Sequence, residues 1–379
     1  MPFQECSRMN HRLEFCAAAS VEGANIRAVC RQFGISPTTG YKWLGRYRAA
    51  GMAGLADHSR RPRTSPGRTA PAIEAAVVAL RQDHPVWGGR KLHEVLAARL
   101  PDGAAPPAAS TITAILARHD LLDPVAAAKH RPYRRFVADA PNDLWQMDCK
   151  GDFAIGAGRC YPLTILDDHA RYALAVVACA DCQTATVQAH LSAVFRTYGL
   201  PRRILTDNGS PWGDGGGAGW TPLRVWLLKL GVQLIHGRPY HPQTQGKDER
   251  FHRTLAAEAL RGHSFTDLAA CQDACDAFRT TYNHLRPHEA LAMAPPASRY
   301  QASPRLVPDS LPPLTYAPEA LVRKVQAQGE ISFRNQEFHI GRAFRGYPVA
   351  LQPTADPATW EVHFGPHSIT TLDLRHPAP

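Results

Sequence analysis

Leu144-Trp145-Gln146-Met147-Asp148, Tyr161-Pro162-Leu163-Thr164-Ile165-Leu166 and Leu174-Ala175-Val176-Val177-Ala178 decide the fold of this chain. Each run is short, apolar and rich in β-branched or aromatic residues, and the three read as hairpin-connected strands. Beyond them, Thr184–Tyr198 places Val187, Leu191, Val194 and Phe195 on one helical face. Ile204–Thr206 and Val232–Ile235 are further short strands. Pro222–Leu230, Thr244–Leu260 and Leu268–His284 carry helical spacing. Three strands followed by alternating helices and strands predict an α/β core over residues 135–300, a mixed five-stranded sheet with helices on its faces.

N-terminal to this core the chain is helical. Arg8–Ala19 and Asn25–Phe33 repeat apolar residues at helical spacing. Gly34 and Ile35 turn the chain, and Ser36-Pro37 supplies an N-cap and a first-turn proline. The helix that follows sets Tyr41, Leu44 and Tyr47 on one face and Lys42, Arg46 and Arg48 mostly on another. Helix, tight turn and basic helix over residues 1–57 is the helix-turn-helix order, whose last helix enters the major groove. An ordinary three-helix bundle with a solvated basic face is the plainer reading. Thr38, Thr39, Lys42 and Arg46 are the expected DNA contacts of that helix.

Residues 58–70 form a basic linker in which Arg60, Arg61 and Arg63 can follow a phosphate backbone or minor groove, or merely tether. Residues 71–125 repeat the helical pattern and predict a second helix-turn-helix-like unit, with Ser110-Thr111 capping its last helix. After the Pro-rich Ala294–Pro313 stretch, short strands at Val322–Ala327, Ile331–Phe333, Gln336–Ile340, Pro348–Gln352 and Trp360–Phe364 predict a small β-barrel-like or sandwich domain over 318–376.

The formal net charge of +10 points to a polyanionic partner, because basic proteins gain affinity by releasing nucleic-acid counterions. Residues 1–70 concentrate it, with eleven Lys/Arg against four Asp/Glu. No apolar run is long enough to span a membrane and no secretory signal opens the chain, so the expectation is a cytoplasmic, nucleoid-associated protein. Nine cysteines, with the one CxxC at Cys179 and Cys182, predict neither a disulfide framework nor a zinc site.

Three acids stand at positions where chemistry is built. Asp148 closes a strand, Asp207 follows the strand Ile204–Thr206 and opens the turn Asn208-Gly209-Ser210, and Glu249 lies in the first turns of a helix. Carboxylates converging at a sheet edge repel one another, and a hard divalent cation with oxygen ligands removes the conflict. Taken singly they have plainer readings: a strand end, an Asx turn, and an acid complementing a helix dipole.

The blocks Trp145-Gln146-Met147-Asp148, Leu205-Thr206-Asp207-Asn208-Gly209-Ser210 and His241-Pro242-Gln243-Thr244-Gln245-Gly246-Lys247-Asp248-Glu249-Arg250-Phe251-His252-Arg253 resemble the catalytic blocks of bacterial insertion-sequence transposases with a retroviral-integrase-type core. Leu166-Asp167-Asp168-His169-Ala170-Arg171-Tyr172 and Tyr282-Asn283-His284-Leu285-Arg286-Pro287-His288 agree, in the same order. The resemblance implies an RNase H-like core whose Asp, Asp, Glu triad falls on Asp148, Asp207 and Glu249. These would hold two Mg²⁺, for which Mn²⁺ can substitute. The gap from Asp207 to Glu249 exceeds the family's usual one, and the surplus is the glycine-rich loop 213–219, which can be inserted without moving the helix.

Asp248 competes with Glu249, since neighbours on a helix point about 100° apart; the motif favours Glu249. Lys247, Arg250 and Arg253 are expected to meet phosphates or to solvate the helix, and His236 and His241 are further phosphate contacts. Asp167 and Asp168 are expected to support the site or form a local ion pair with Arg171. Trp212 and Tyr240 are expected to pack. The implied function is binding of the element's terminal inverted repeats, cleavage freeing a 3′-OH, and strand transfer into double-stranded target DNA, by a homodimer or higher oligomer with no membrane partner. A catalytically inactive DNA-binding regulator and an RNase H-like nuclease without joining activity are the rival readings.

Overall fold

Side-chain caps start the first helices where the sequence places them. Ser7 accepts from the Asn10 amide, Asn25 from Arg27 and Ala28, and Ser36 from Thr39. A computed structural model of the chain describes residues 7–58, 67–101, 104–122, 137–156, 158–213, 219–236 and 246–375. It divides into two units, Met1–Arg68 and Thr69–Pro379.

The first unit contains α1 (Arg8–Ala19), α2 (Ile26–Gln32) and α3 (Pro37–Ala50), closed by a 3₁₀ turn at Gly51–Leu55. Its core is Phe15, Cys16, Ala19, Cys30, Trp43, Leu44 and Leu55. The inward face of α3 differs from the expected Tyr41, Leu44, Tyr47 stripe. Tyr41 is 53% exposed, while Gly40, Trp43 and Leu44 face inward. Gly40 sets this phase, because a Cβ there would sit 2.9 Å from the Phe15 ring and against the Cys30 sulfur.

The second unit begins with α4 (Pro71–Asp83), α5 (Gly89–Arg99) and α6 (Ala109–Arg118), packed around Val77, Leu80, Trp87, Leu92, Ile112 and Ile115. The expected cap at Ser110-Thr111 is not formed. The helix begins at Ala109, so both residues already lie in its first turn, and Ala108 at the cap has no side-chain acceptor.

The α/β region follows with β1 (Leu144–Cys149), β2 (Phe153–Ile155), β3 (Gly158–Asp167), β4 (Ala173–Cys179), α7 (Thr184–Tyr198), β5 (Arg203–Thr206), α8 (Pro222–Lys229), β6 (Gln233–His236), α9 (Gly246–Leu255) and α10 (Leu268–His284). β4, β3 and β1 pair antiparallel, whereas β1, β5 and β6 pair parallel. The mixed sheet is therefore five strands wide. The short β2 adds a sixth strand that continues the line of β1 along β3. Strand alternation sends Trp145 and Met147 into a core with α7 and α8. The opposite face packs Leu166 and Val176 against Phe251, Cys271, Cys275 and Phe278 of α9 and α10. Gln146 and Asp148 alternate with Trp145 and Met147, so they belong to the α9 side.

A π-helical turn at Ala256–Leu260 extends α9. Its Glu258 accepts from Trp87 Nε1 at 3.3 Å and from Arg286 Nε at 2.9 Å, tying the α4–α6 bundle to the sheet region. Cys149 and Cys182 form a disulfide between the end of β1 and the approach to α7. This corrects the expectation that the cysteines supply no disulfide: the fold brings together two residues 33 apart in sequence. Cys179, the other half of the CxxC, is free and buried.

Arg305 fastens the segment after the core, donating to the carbonyls of Pro201, Leu230 and Gly231. The C-terminal β region holds β7 (Leu321–Lys324), β8 (Glu330–Phe333), β9 (Gln336–His339), β10 (Pro348–Pro353), β11 (Thr359–Phe364) and β12 (His367–Asp373). These make a four-stranded sheet, β12-β11-β10-β7, and a separate β8-β9 hairpin, in place of a closed barrel. Val225 and Leu228 of α8 enter its core beside Phe333, Val349, Trp360 and Phe364.

Candidate active site

Parallel pairing of β1 with β5 brings two of the three acids together. Asp148 is the penultimate residue of β1, opposite Thr164 of β3. Asp207 leaves β5 two residues after Leu205, the register partner of Gln146. Asp207 Oδ1 accepts from the Gly209 amide at 3.0 Å. A Cβ on Gly209 would stand 3.3 Å from both Asp207 carboxyl oxygens, so glycine keeps that carboxylate uncrowded. Burial, and then the neighbouring Asp207, raise the Asp148 pKa to about 7 against a lowering bond from the Cys149 amide. The two acids are thus close enough to repel.

His236, expected to touch phosphate, instead faces inward. Its Nδ1 lies 2.7 Å from the Asp207 carbonyl and so donates to it, fixing the end of β5. Asp167 and Asp168 are fully buried and structural. Asp167 accepts from the amides of Asn142 and Ala170, both at 2.7 Å. Asp168 accepts from the Ala138 amide, Gln146 Nε2 and Lys247 Nζ, and lies 3.8 Å from Arg171.

That network corrects the reading of Lys247 as a phosphate contact. Its side chain is 16% exposed and paired with Asp168, and burial, then Arg171, lowers its pKa to about 8. Arg250 and Arg253, one turn apart on the same helix, are exposed as expected. Glu249 is also exposed in the first turn of α9, whereas its neighbour Asp248 is 2% exposed. Among the described residues no three His, Cys, Asp or Glu stand close enough to complete a metal-ligand set. The structure gathers Asp148 and Asp207, and leaves Glu249 at the solvent edge.

His252 is the site residue that sequence reasoning missed. Thr164 Oγ1 gives its proton to the Asp148 carbonyl, so His252 Nε2, 2.7 Å away, must donate to that hydroxyl. The Nδ1 lone pair then faces Asp148 Oδ2 at 3.8 Å. Burial, then Lys150, pushes the imidazole pKa down to about 4, so this contact is not an ion pair. Its position three residues after Glu249 and four after Asp248, on neighbouring helix surface, was the available signal.

Asp148 and Asp207 are oxygen donors of the kind a hard divalent cation takes, and no third described acid stands close enough to complete the set. Asp248 Oδ1 and Asn208 Oδ1 are buried without hydrogen-bond partners near Asp148, whose charge Asp207 disfavours.

In the first unit, Thr38 and Lys42 are exposed on α3, and Lys42 and Arg46 lie 5.0 and 5.2 Å from the Trp43 ring centre. Thr39 is engaged in the Ser36 cap. Trp212 is buried in the sheet core, as expected. Arg60, Arg61, Arg63, Tyr240 and His241 lie outside the described residues.

Residues 138–242 and 230–296 match two integrase core domain models. Residues 11–63 match a helix-turn-helix domain and 39–116 a homeodomain-like domain. Residues 320–378 match the C-terminal domain of IS481 family transposases. The chain is 28% identical over 258 residues to an uncharacterized 39.2 kDa protein of insertion element IS476 from Xanthomonas euvesicatoria, covering 67% of this chain and 72% of that one. It is 29% identical over 171 residues to an uncharacterized 31.7 kDa protein of insertion element IS407 from Burkholderia multivorans, covering 45% of this chain and 59%, less than two thirds, of that one. Among solved structures, the simian T-cell lymphotropic virus intasome in complex with PP2A regulatory subunit B56 gamma is 15% identical at a TM-score of 0.35, covering 76% of this chain and 96% of that one. Helix-turn-helix head, integrase core and a C-terminal domain of the IS481 transposase type are matched in one chain and in that order, the domain content of an insertion-sequence transposase.

Proposed function

We propose that this transposase binds the terminal inverted repeats of its element, cuts the strand at each end to free a 3′-OH, and joins that end to target DNA. Repeat binding is the task of residues 1–57, the basic linker 58–70 and the second helical unit 71–125. Catalysis belongs to 135–300, and residues 318–376 add DNA or protein contacts. Two ends must be processed together, so the working form is a homodimer or higher oligomer on double-stranded DNA.

Asp148, Asp207 and Glu249 are the residues that would hold Mg²⁺ or Mn²⁺. When bound, paired divalent ions activate the attacking oxygen and stabilise the leaving oxygen of a phosphodiester. The chain's own contribution is positional. The β1–β5 pairing fixes two carboxylates at one sheet edge, His236 holds the Asp207 backbone, and His252 braces Asp148 through Thr164. Exposed Arg250 and Arg253 offer charge to the DNA backbone beside this edge.

The observation that carries this reading is the pair Asp148 and Asp207, brought to one end of the sheet by the parallel pairing of β1 with β5. The test uses purified protein, Mg²⁺ and a labelled terminal-repeat duplex. Wild type is expected to nick the duplex and to join a pre-cut 3′-OH end to plasmid DNA. Asp148→Asn and Asp207→Asn should each lose at least about 10²–10³-fold. Equal products from wild type and Asp148→Asn would overturn the assignment. Nicking with no covalent junction would indicate a nuclease, and repeat binding with no products a regulator.

A further inference from the structure

The second helical unit carries its Lys and Arg residues at Arg81, Arg90, Lys91, Arg99 and Arg118. Two of these are spent inside the bundle. Arg81 donates to the carbonyls of Trp87 and Leu121, and Arg118, the one Lys or Arg of α6, pairs with Glu74 at 2.9 Å. The outer face of α6 is Ser110, Thr111, Thr113, Ala114 and Ala117, which bring no charge to a phosphate. The cations that remain belong to α5, with Arg99 at its end and the adjacent pair Arg90 and Lys91 at its start.

That start abuts the core. Trp87 donates to Glu258 in the extension of α9, and Arg90 pairs with Glu289 at 2.9 Å. Glu258 already receives Arg286. Lys91, the next residue, is half-buried, and among the described residues its ammonium forms no ion pair or hydrogen bond. Arg286 and Arg250 both bear on it, as do Glu258 and Glu289. The same positive surplus reaches His288, whose Nδ1 is buried without a partner and whose pKa burial, then Arg286, lower to about 3. Arg90, Lys91, Arg250 and Arg286 thus meet only Glu258 and Glu289 in return. A half-buried cation beside like charge is costly unless an anion answers it. Arg250 is exposed on α9 next to Glu249, so the surplus runs from α5 towards the active edge.

Resting on the DNA-binding reading above, we propose that Arg90 and Lys91, continued by Arg250, form a track for the phosphodiester backbone of DNA, through which the second helical unit holds the strand against the core. Contacts of this kind position the duplex without reading its sequence.

The test measures binding of the full chain to a labelled terminal-repeat duplex and to a scrambled duplex of equal length over a salt series, and melting without DNA. Lys91→Met should weaken binding to both duplexes by the same factor and lower the salt slope by about 1. It should also melt higher than wild type at pH 7, since an unanswered cation is removed. Lys91→Arg should keep the wild-type slope. Wild-type affinity and slope in Lys91→Met, or a loss confined to the repeat duplex, overturns the phosphate assignment. A Lys91→Met protein that melts lower or fails to fold overturns it too, because Lys91 is then structural, as does a Lys91→Arg protein that loses the slope. If wild type binds neither duplex, the DNA-binding reading itself fails. If wild type binds both and Lys91→Met matches it, the track alone is lost.

Discussion

Lys91 on α5 shows how one side chain stores a pH-dependent cost. It is partly buried, and burial, then Arg286, pushes its pKa from 10.5 down to about 8. A base whose folded pKa is lowered penalises the folded state at every pH where it must stay protonated. Below about pH 8 the penalty is complete, and as pH rises from 8 towards 10.5 the unfolded chain holds the extra proton and stability recovers. Lys91→Met should therefore stabilise the protein at pH 7 by about 1–3 kcal/mol. That gain should vanish near pH 10, as melting curves at the two pH values would reveal. An equal gain at both would exclude titration as its source.

At the scale of single elements, α3 makes two demands. Its inner face requires a glycine at position 40, where a Cβ would press on Phe15 and Cys30, while Gly45 has open space. Gly40→Ala should cost about 1–3 kcal/mol by overpacking. Gly45→Ala should be neutral or gain up to about 1 kcal/mol from helix propensity. Chemical denaturation of residues 1–68 distinguishes them. The outer face offers Lys42 and Arg46, and changing both to Ala should weaken repeat binding and lower the salt slope by about 2. An unchanged slope would move recognition to α4–α6.

Helices were the most legible elements. α1, α7 and α10 run where periodicity places them, because long amphipathic repeats leave one solution. β2, only three residues, and β12, with Ser368, Thr370 and Thr371 diluting its apolar content, gave too little pattern to read. The phase of α9 was also hidden. Asp248 and Glu249 are adjacent acids, and only packing by Phe251 and Leu255 decides which one turns inward. The same rotation takes Lys247 to Asp168, a contact 79 residues away in sequence.

Across the whole molecule, apolar surface is shared between regions that sequence patterning separates. Val225 and Leu228 belong to α8 yet complete the core of the C-terminal β region. Ending the chain near residue 310 should bare this patch and cause the shortened protein to associate, visible as concentration-dependent elution in size-exclusion chromatography. A monodisperse truncation would mean that α8 repacks alone.

The link through Glu258 carries the other long-range consequence. Its carboxylate receives both Trp87, from the α4–α6 bundle, and Arg286, from the segment after α10. Breaking such a buried pair costs about 3–5 kcal/mol, so the bundle has little freedom to open by itself. Amide deuteration of α5 should then proceed at the pace of central α10, the two behaving as one foldon whose protection falls together in Glu258→Ala.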